Sequence, residues 1–170
     1  MWILRTWCQY WLPVVVWMNL IFVGSTDLLS QQHTSRFLVP LLRWIKPDMS
    51  SETMQRIQYG IRKCGHVTEY TVLCMLIWRA RCKLRRRDNR PWSWTEAVVA
   101  VGVSVLFAAS DEIHQSFYAQ RYGSALDVMI DAAGAMLGIL LLRLLVKRRC
   151  SSGSGQFMNQ KNVGDEVTRL

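Results

Sequence analysis

Residues 6–26 pass without a single charged side chain, and that run constrains the chain more than anything else in it. Its centre, Pro13-Val14-Val15-Val16-Trp17-Met18-Asn19-Leu20-Ile21-Phe22-Val23, suits a bilayer-crossing helix, which needs about 20 mostly apolar residues. A backbone in hydrocarbon has no water to bond to, so such a run crosses as a helix. The rival reading is a cleaved signal peptide, with Val23-Gly24-Ser25 as a weak cleavage site. Only Arg5 charges the segment before it, and the apolar stretch is long for a signal, so a retained helix is expected.

Three further spans are expected, which places them with the first at about 7–26, 64–80, 95–112 and 127–146. The second is the weakest, with 15 residues between Lys63 and Arg79. At about 1.5 Å per residue it falls short of the roughly 30 Å hydrocarbon core. Snorkelling basic flanks, and continuation of the helix at both ends, make up the difference. Before it, Met54, Ile57 and Ile61 recur at helical spacing and predict a surface helix leading into the span. The apolar stretch Phe37-Leu38-Val39-Pro40-Leu41-Leu42 is too short to cross. The expected fold is all-α, a polytopic membrane protein built as a four-helix transmembrane bundle over residues 1–149. Residues 150–170 have no apolar periodicity and read as a flexible cytoplasmic tail.

Four spans put both termini on one side, and charge chooses the side. Fourteen of the 21 basic residues fall in the N-terminus, in residues 79–90 and from Arg143 onward. The short 79–90 loop alone holds seven, so by the positive-inside rule that side and both termini are cytoplasmic. Trp78, Trp92 and Trp94 flank the loop as an interfacial aromatic belt would. Eight of the 12 acidic residues lie on the opposite side, which nets −1 against +10 inside. The overall +9 is therefore topological in origin, its natural partner is the lipid bilayer, and no nucleic-acid partner is expected. The five cysteines form no C-x-x-C pair, so neither a disulfide framework nor a zinc ribbon is indicated. Cys74, inside an apolar run, reads as a packing residue.

Ionisable groups gather where three spans meet the outer side. Lys63, His66, Glu69 and Tyr70 share one face of the second helix. Asp111, His114 and Gln115 share a face at the end of the third, with Glu112 pointing elsewhere. Asp127 and Asp131 are i, i+4 on the fourth, and Gly134 and Gly138 extend that stripe. A charge at membrane depth costs at least about 2.5–3.5 kcal/mol, so these groups need partners or water. Glu69 and Asp131 are the strongest cases, with His66, His114, Lys63 and Arg121 as available partners. Plainer readings stand beside these. Ser124-x-x-Asp127 matches a capping box, Gly134-x-x-x-Gly138 a close-packing face, His66 with Glu69 an interfacial pair, and Asp111-Glu112 a solvated helix end. Two histidines and several carboxylates suit a divalent metal, but no segment has H-E-x-x-H or another established ligand spacing. No metal or other cofactor is expected, and no nucleophile motif such as G-x-S-x-G occurs.

The stretch Ser110-Asp111-Glu112-Ile113-His114-Gln115-Ser116-Phe117, then Arg121 and Ser124-Ala125-Leu126-Asp127-Val128, resembles the VanZ-like family. Asp131-Ala132-Ala133-Gly134-Ala135-Met136-Leu137-Gly138 is similar to the family's Gly-rich element, and Lys63-Cys64-Gly65-His66-Val67-Thr68-Glu69-Tyr70 to its K-x-x-H-x-x-E-Y element. Ser25 looks like its early serine. The resemblance runs from about Trp11 to Leu145 and implies a four-span protein of the bacterial cytoplasmic membrane, linked to resistance to glycopeptides, chiefly teicoplanin. It implies shared polar residues at Lys63, His66, Glu69, Tyr70, Asp111, Glu112, His114, Gln115, Arg121 and Asp127. It implies no reaction. Three functions stay open. The cluster can engage a lipid-linked wall precursor or the glycopeptide itself. It can serve an intramembrane enzyme acting on a lipid-linked substrate, with His66 or His114 as general base. Or it can hold the helices together within a larger membrane complex.

Overall fold

The computed structural model describes residues 2–26, 31–84, 92–117 and 124–167. Among them the chain is entirely helical, with no strand. The helices are α1 (Trp2–Gly24), α2 (Gln31–Ile45), α3 (Ser51–Leu84), α4 (Trp94–Gln115) and α5 (Ala125–Val167).

Local chemistry explains the ends. Ser50 Oγ accepts the Thr53 N–H at 3.2 Å and caps α3, and Glu52 pairs with Arg56 one turn in. Ser93 opens α4 from extended backbone, and the Ser116 N–H closes it on the Glu112 and Ile113 carbonyls. The 15-residue α2 is a helix that the sequence reading left unassigned. It places Leu41, Trp44 and Ile45 in the open and touches α3 through Ser35 Oγ and Gln58 Oε1, 3.0 Å apart. Helix α5 runs beyond the expected span, through the segment read as a tail, to Val167.

The central helix is α3, packed against α1, α4 and α5. Tyr70, Leu73, Cys74, Ile77 and Ala80 form its fully buried seam, and Cys74 is the packing residue its setting suggested. Val14 and Ile21 of α1, Ala97, Ala100 and Ala108 of α4, and Ala135 and Ile139 of α5 join the same core. Arg79 lies over the Tyr10 ring and the Trp17 indole donates to the Glu69 carbonyl, so α1 runs antiparallel to α3. Lys63 meets Asp127, His66 meets Asp131 and Thr71 meets Gly134, so α5 runs parallel to α3.

The polarity is that of a protein dissolved in lipid. Val16, Leu20, Leu106, Met136, Leu140 and Leu144 point outward, while polar Ser104, Asp111 and Asp131 and small Ala100, Ala108 and Ala135 are buried beside the larger apolar core residues, as expected where hydrocarbon is the solvent. Trp7–Gly24, Trp94–Gln115 and Ala125–Arg148 are long and apolar enough to cross a membrane. The expected second span is the short apolar middle of the 34-residue α3, which carries Lys63, Glu69 and Arg79 close to that middle. At the far end from these acids, Arg81 of α3 pairs with buried Glu96 of α4. Beside it Trp78 meets Trp92 at a tilt and Trp92 meets Trp94 edge to face, and Arg143 lies 4.3 Å over the Trp94 ring.

Two glycines set the α3–α5 distance. A Cβ on Gly134 would stand 2.6 Å from the Val67 carbonyl oxygen, and one on Gly138 2.7 Å from that of Thr71. Thr71 Oγ1 uses the approach to donate to the Gly134 carbonyl at 2.8 Å. A Cβ on Gly65 would meet nothing within 4 Å. Gly134→Ala and Gly138→Ala should each destabilise the protein by about 1–3 kcal/mol, because backbone must move. Gly65→Ala should be neutral or stabilising by up to about 1 kcal/mol. Thermal unfolding of the three variants in detergent checks this ranking.

Candidate functional site

The polar residues collect where α1 and α4 end, α5 begins and α3 passes its second third. Two side-chain pairs tie α3 to α5. Lys63 bonds the Asp127 carboxylate, and His66 Nδ1 lies 3.2 Å from Asp131 Oδ1. The one-turn spacing of Lys63 and His66 matches that of Asp127 and Asp131, so the pairs lie one above the other along two parallel helices. A third group ties α1 to α4. Ser25 Oγ donates to Asp111 Oδ2 at 2.6 Å, and Gln115 Nε2 donates to both, at 3.2 and 3.0 Å. Ser25, a buried residue, is absent from the candidate set drawn from charge alone. Its signal in the sequence was its likeness to the family's early serine, just past the apolar centre that ends at Val23.

The wheel reading of α4 needs correction. Asp111 and Gln115 do share a face, but His114 lies apart from them, stacked on Phe22 of α1 with ring centroids 3.9 Å apart. Glu112, expected to point elsewhere, is buried in the cluster. Its Oε2 accepts the Ser124 N–H at 2.8 Å, and it lies within electrostatic range of His66, Asp127 and Asp131. The reason is contact geometry: α4 packs on both α3 and α5, so neighbouring residues at its end face different partners.

The same bond decides the role of Asp127. In a reciprocal capping box its carboxylate would take the Ser124 N–H. Glu112 takes that donor instead, Ser124 Oγ accepts the Leu126 N–H at 3.2 Å, and Asp127 turns to Lys63. Neither Asp127 as a cap nor Asp111-Glu112 as a solvated helix end describes what is seen. The glycine stripe is the close-packing face its plain reading predicted.

Tyr70 is fully buried and lies within electrostatic range of Asp111, Glu112 and Asp131. Glu69 is half-buried, and it is Asp131 that pairs with His66. Arg121 lies outside the described residues. Four buried oxygens of this cluster have no hydrogen-bond partner among the described residues: Tyr70 Oη, Asp111 Oδ1, Glu112 Oε1 and Asp131 Oδ2. Each such atom costs about 1–3 kcal/mol when left unmet. Each of the four could still bond to water, to a ligand headgroup or to an ion. His66, Glu112 and Asp131 could also hold a metal, each with one ligand atom within 4.8 Å of the other two.

Removing one member of the Lys63–Asp127 pair strands the other in a buried setting, which costs roughly 3–5 kcal/mol. Lys63→Met should therefore destabilise the protein strongly. Lys63→Met combined with Asp127→Asn should recover more than half of that loss. The double-mutant cycle is read from thermal unfolding in detergent, and additive losses would refute the pairing.

No curated protein and no solved structure matches the chain. A family model does match, over residues 10–146, and it covers α3 and α4 whole and most of α1 with the first half of α5. It is the model described as VanZ/LLP1, and the chain belongs to that family.

Proposed function

We propose that the protein crosses the bacterial cytoplasmic membrane four times, with α3 as the second span and both termini cytoplasmic. In this reading its buried cluster receives the polar headgroup of a lipid-linked cell-wall precursor and so contributes to glycopeptide, chiefly teicoplanin, resistance. The charge asymmetry supports the orientation, because Arg79 and Arg81, which begin the basic 79–90 stretch of the sequence, lie at the end of α3 opposite the cluster. The cluster then faces the leaflet where wall precursors are used.

The observation that carries the reading is the set of orphaned oxygens among paired charges. Lys63 can leave Asp127 to meet a phosphate or carboxylate oxygen, a charge-assisted bond of the stronger kind. Tyr70 can donate its hydroxyl hydrogen, and the carboxylates can accept from sugar hydroxyls or amides. Lipid-exposed walls of Leu106, Met136 and Leu140 let the acyl part of such a ligand stay in the bilayer. The glycopeptide itself is the competing occupant of the same groups.

One contact favours a second reading, an intramembrane enzyme on the same class of substrate. Asp131 beside His66 is an oriented imidazole, the arrangement a general base requires.

Cells expressing the wild type should survive several-fold more teicoplanin than cells without it. His66→Gln and Tyr70→Phe, at verified equal membrane levels, should lose that protection. Protection unchanged in both variants would move function away from the cluster, and no protection by the wild type would end the resistance assignment in that host.

A further inference from the structure

Four buried carboxyl groups, Asp111, Glu112, Asp127 and Asp131, converge on a region where Lys63 is the lysine or arginine paired with them among the described residues. With His66 neutral, the ionised cluster carries an excess of negative charge in a setting of low dielectric, where repulsion between like charges is strong. Hydrogen bonds account for part of the cluster: Asp127 is held by Lys63, and one Asp111 oxygen by Ser25 and Gln115. They leave Glu112 Oε1 and Asp131 Oδ2 unmet, on side chains of residues only 5% and 1% exposed.

These two acids and His66 come from three helices and converge. One ligand atom of each lies within 4.8 Å of the others. In a tetrahedral zinc site with bonds of about 2.1 Å, ligand atoms stand about 3.4 Å apart. The His66 Nδ1–Asp131 Oδ1 separation of 3.2 Å is already near that edge. The Glu112 oxygen would have to draw in from within the 4.8 Å that bounds the set.

We propose that His66, Glu112 and Asp131 bind one divalent first-row transition-metal ion, of the Zn²⁺ or Mn²⁺ class. One imidazole nitrogen and two carboxylate oxygens form a mixed donor set suited to such ions rather than to Ca²⁺ or Mg²⁺, which prefer oxygen ligands throughout. Three protein ligands leave a coordination position open, as in sites that present the metal to water or to an anionic oxygen. The ion offsets the excess charge and offers the buried Glu112 and Asp131 carboxylates a partner. Asp127, held by Lys63, and Asp111, held by Ser25 and Gln115, form the surrounding layer. The three ligands lie far apart in sequence, on α3, α4 and α5, which is why no local ligand spacing announces them. The proposal uses the cluster described above but not the ligand proposed for it, since metal binding is read with no lipid or antibiotic present.

The test is metal binding by the full-length protein, purified in detergent with its affinity tag removed and stripped with chelator. Titration with Zn²⁺, with Mn²⁺ and with Co²⁺ as a spectroscopic reporter should give about one equivalent bound. Co²⁺ should develop visible absorption bands that Zn²⁺ abolishes. Glu112→Gln and Asp131→Asn should each weaken binding by at least about tenfold, at unchanged helical circular dichroism. Glu52→Gln, on an exposed pair, should bind like the wild type. Should either variant fail to fold, the wild type decides: a saturable single site whose occupancy raises the unfolding temperature supports the proposal. A wild type that takes up none of the three ions, or variants that bind them unchanged, would overturn it.

Discussion

The parallel contact between α3 and α5 is the constraint on which the rest depends. Backbone approaches backbone there because Gly134 and Gly138 have no side chain to hold the helices apart. At that distance the residues one and two turns nearer the helix start come into register, and Lys63 meets Asp127 as His66 meets Asp131. A wider crossing would leave four ionisable groups short of one another at membrane depth, at a cost of several kcal/mol. Packing and electrostatics are thus a single device: the small residues place the charges, and the charges fix the register of helices that lipid alone would not sort.

Around that pair the chain solves its polar problem by level. One end of the helical core holds acids, serine, tyrosine and histidine. The other holds Arg81 on Glu96 and a ladder of tryptophans. Between the levels the core is alanine, valine, leucine, isoleucine and cysteine. Tyr70 belongs to both regions, its ring against Phe107 in the apolar core and its hydroxyl among the acids. The charge bias along the sequence and the burial in the fold therefore describe the same segregation, seen once along the chain and once in space.

Much of this was legible in the residues. Apolar runs announced four spans, three of which are helices long and apolar enough to cross, and helical spacing placed Lys63, His66 and Tyr70 on one face. The stripe from Asp127 to Gly138 declared itself both as a packing face and as a source of acids. What stayed hidden depends on which helix lies beside which. Glu112 looked misdirected because a wheel has one inside, whereas the end of α4 touches two helices. Asp127 resembled a cap until Glu112, from another helix, took the donor it would have bonded. Ser25 carries no charge and no periodicity, so beyond its likeness to the family's early serine it is the contact with Asp111 that shows its part. The helix α2 was masked by Pro40 and by an apolar run too short to suggest a span.

The two levels of paired charge also act as a gauge. From His66 to Arg81, α3 climbs about 22 Å at 1.5 Å per residue, well under the roughly 30 Å of a typical hydrocarbon core. A bilayer at full thickness would drown one of the two levels. Mismatch is relieved by tilting the helices or by thinning the lipid, at a fraction of a kcal/mol per Å. Under the four-span proposal, tilt would only lower the vertical reach between the two levels, so the relief left is thinner lipid, which would bring headgroups and any lipid-borne phosphate nearer to His66 and Asp131.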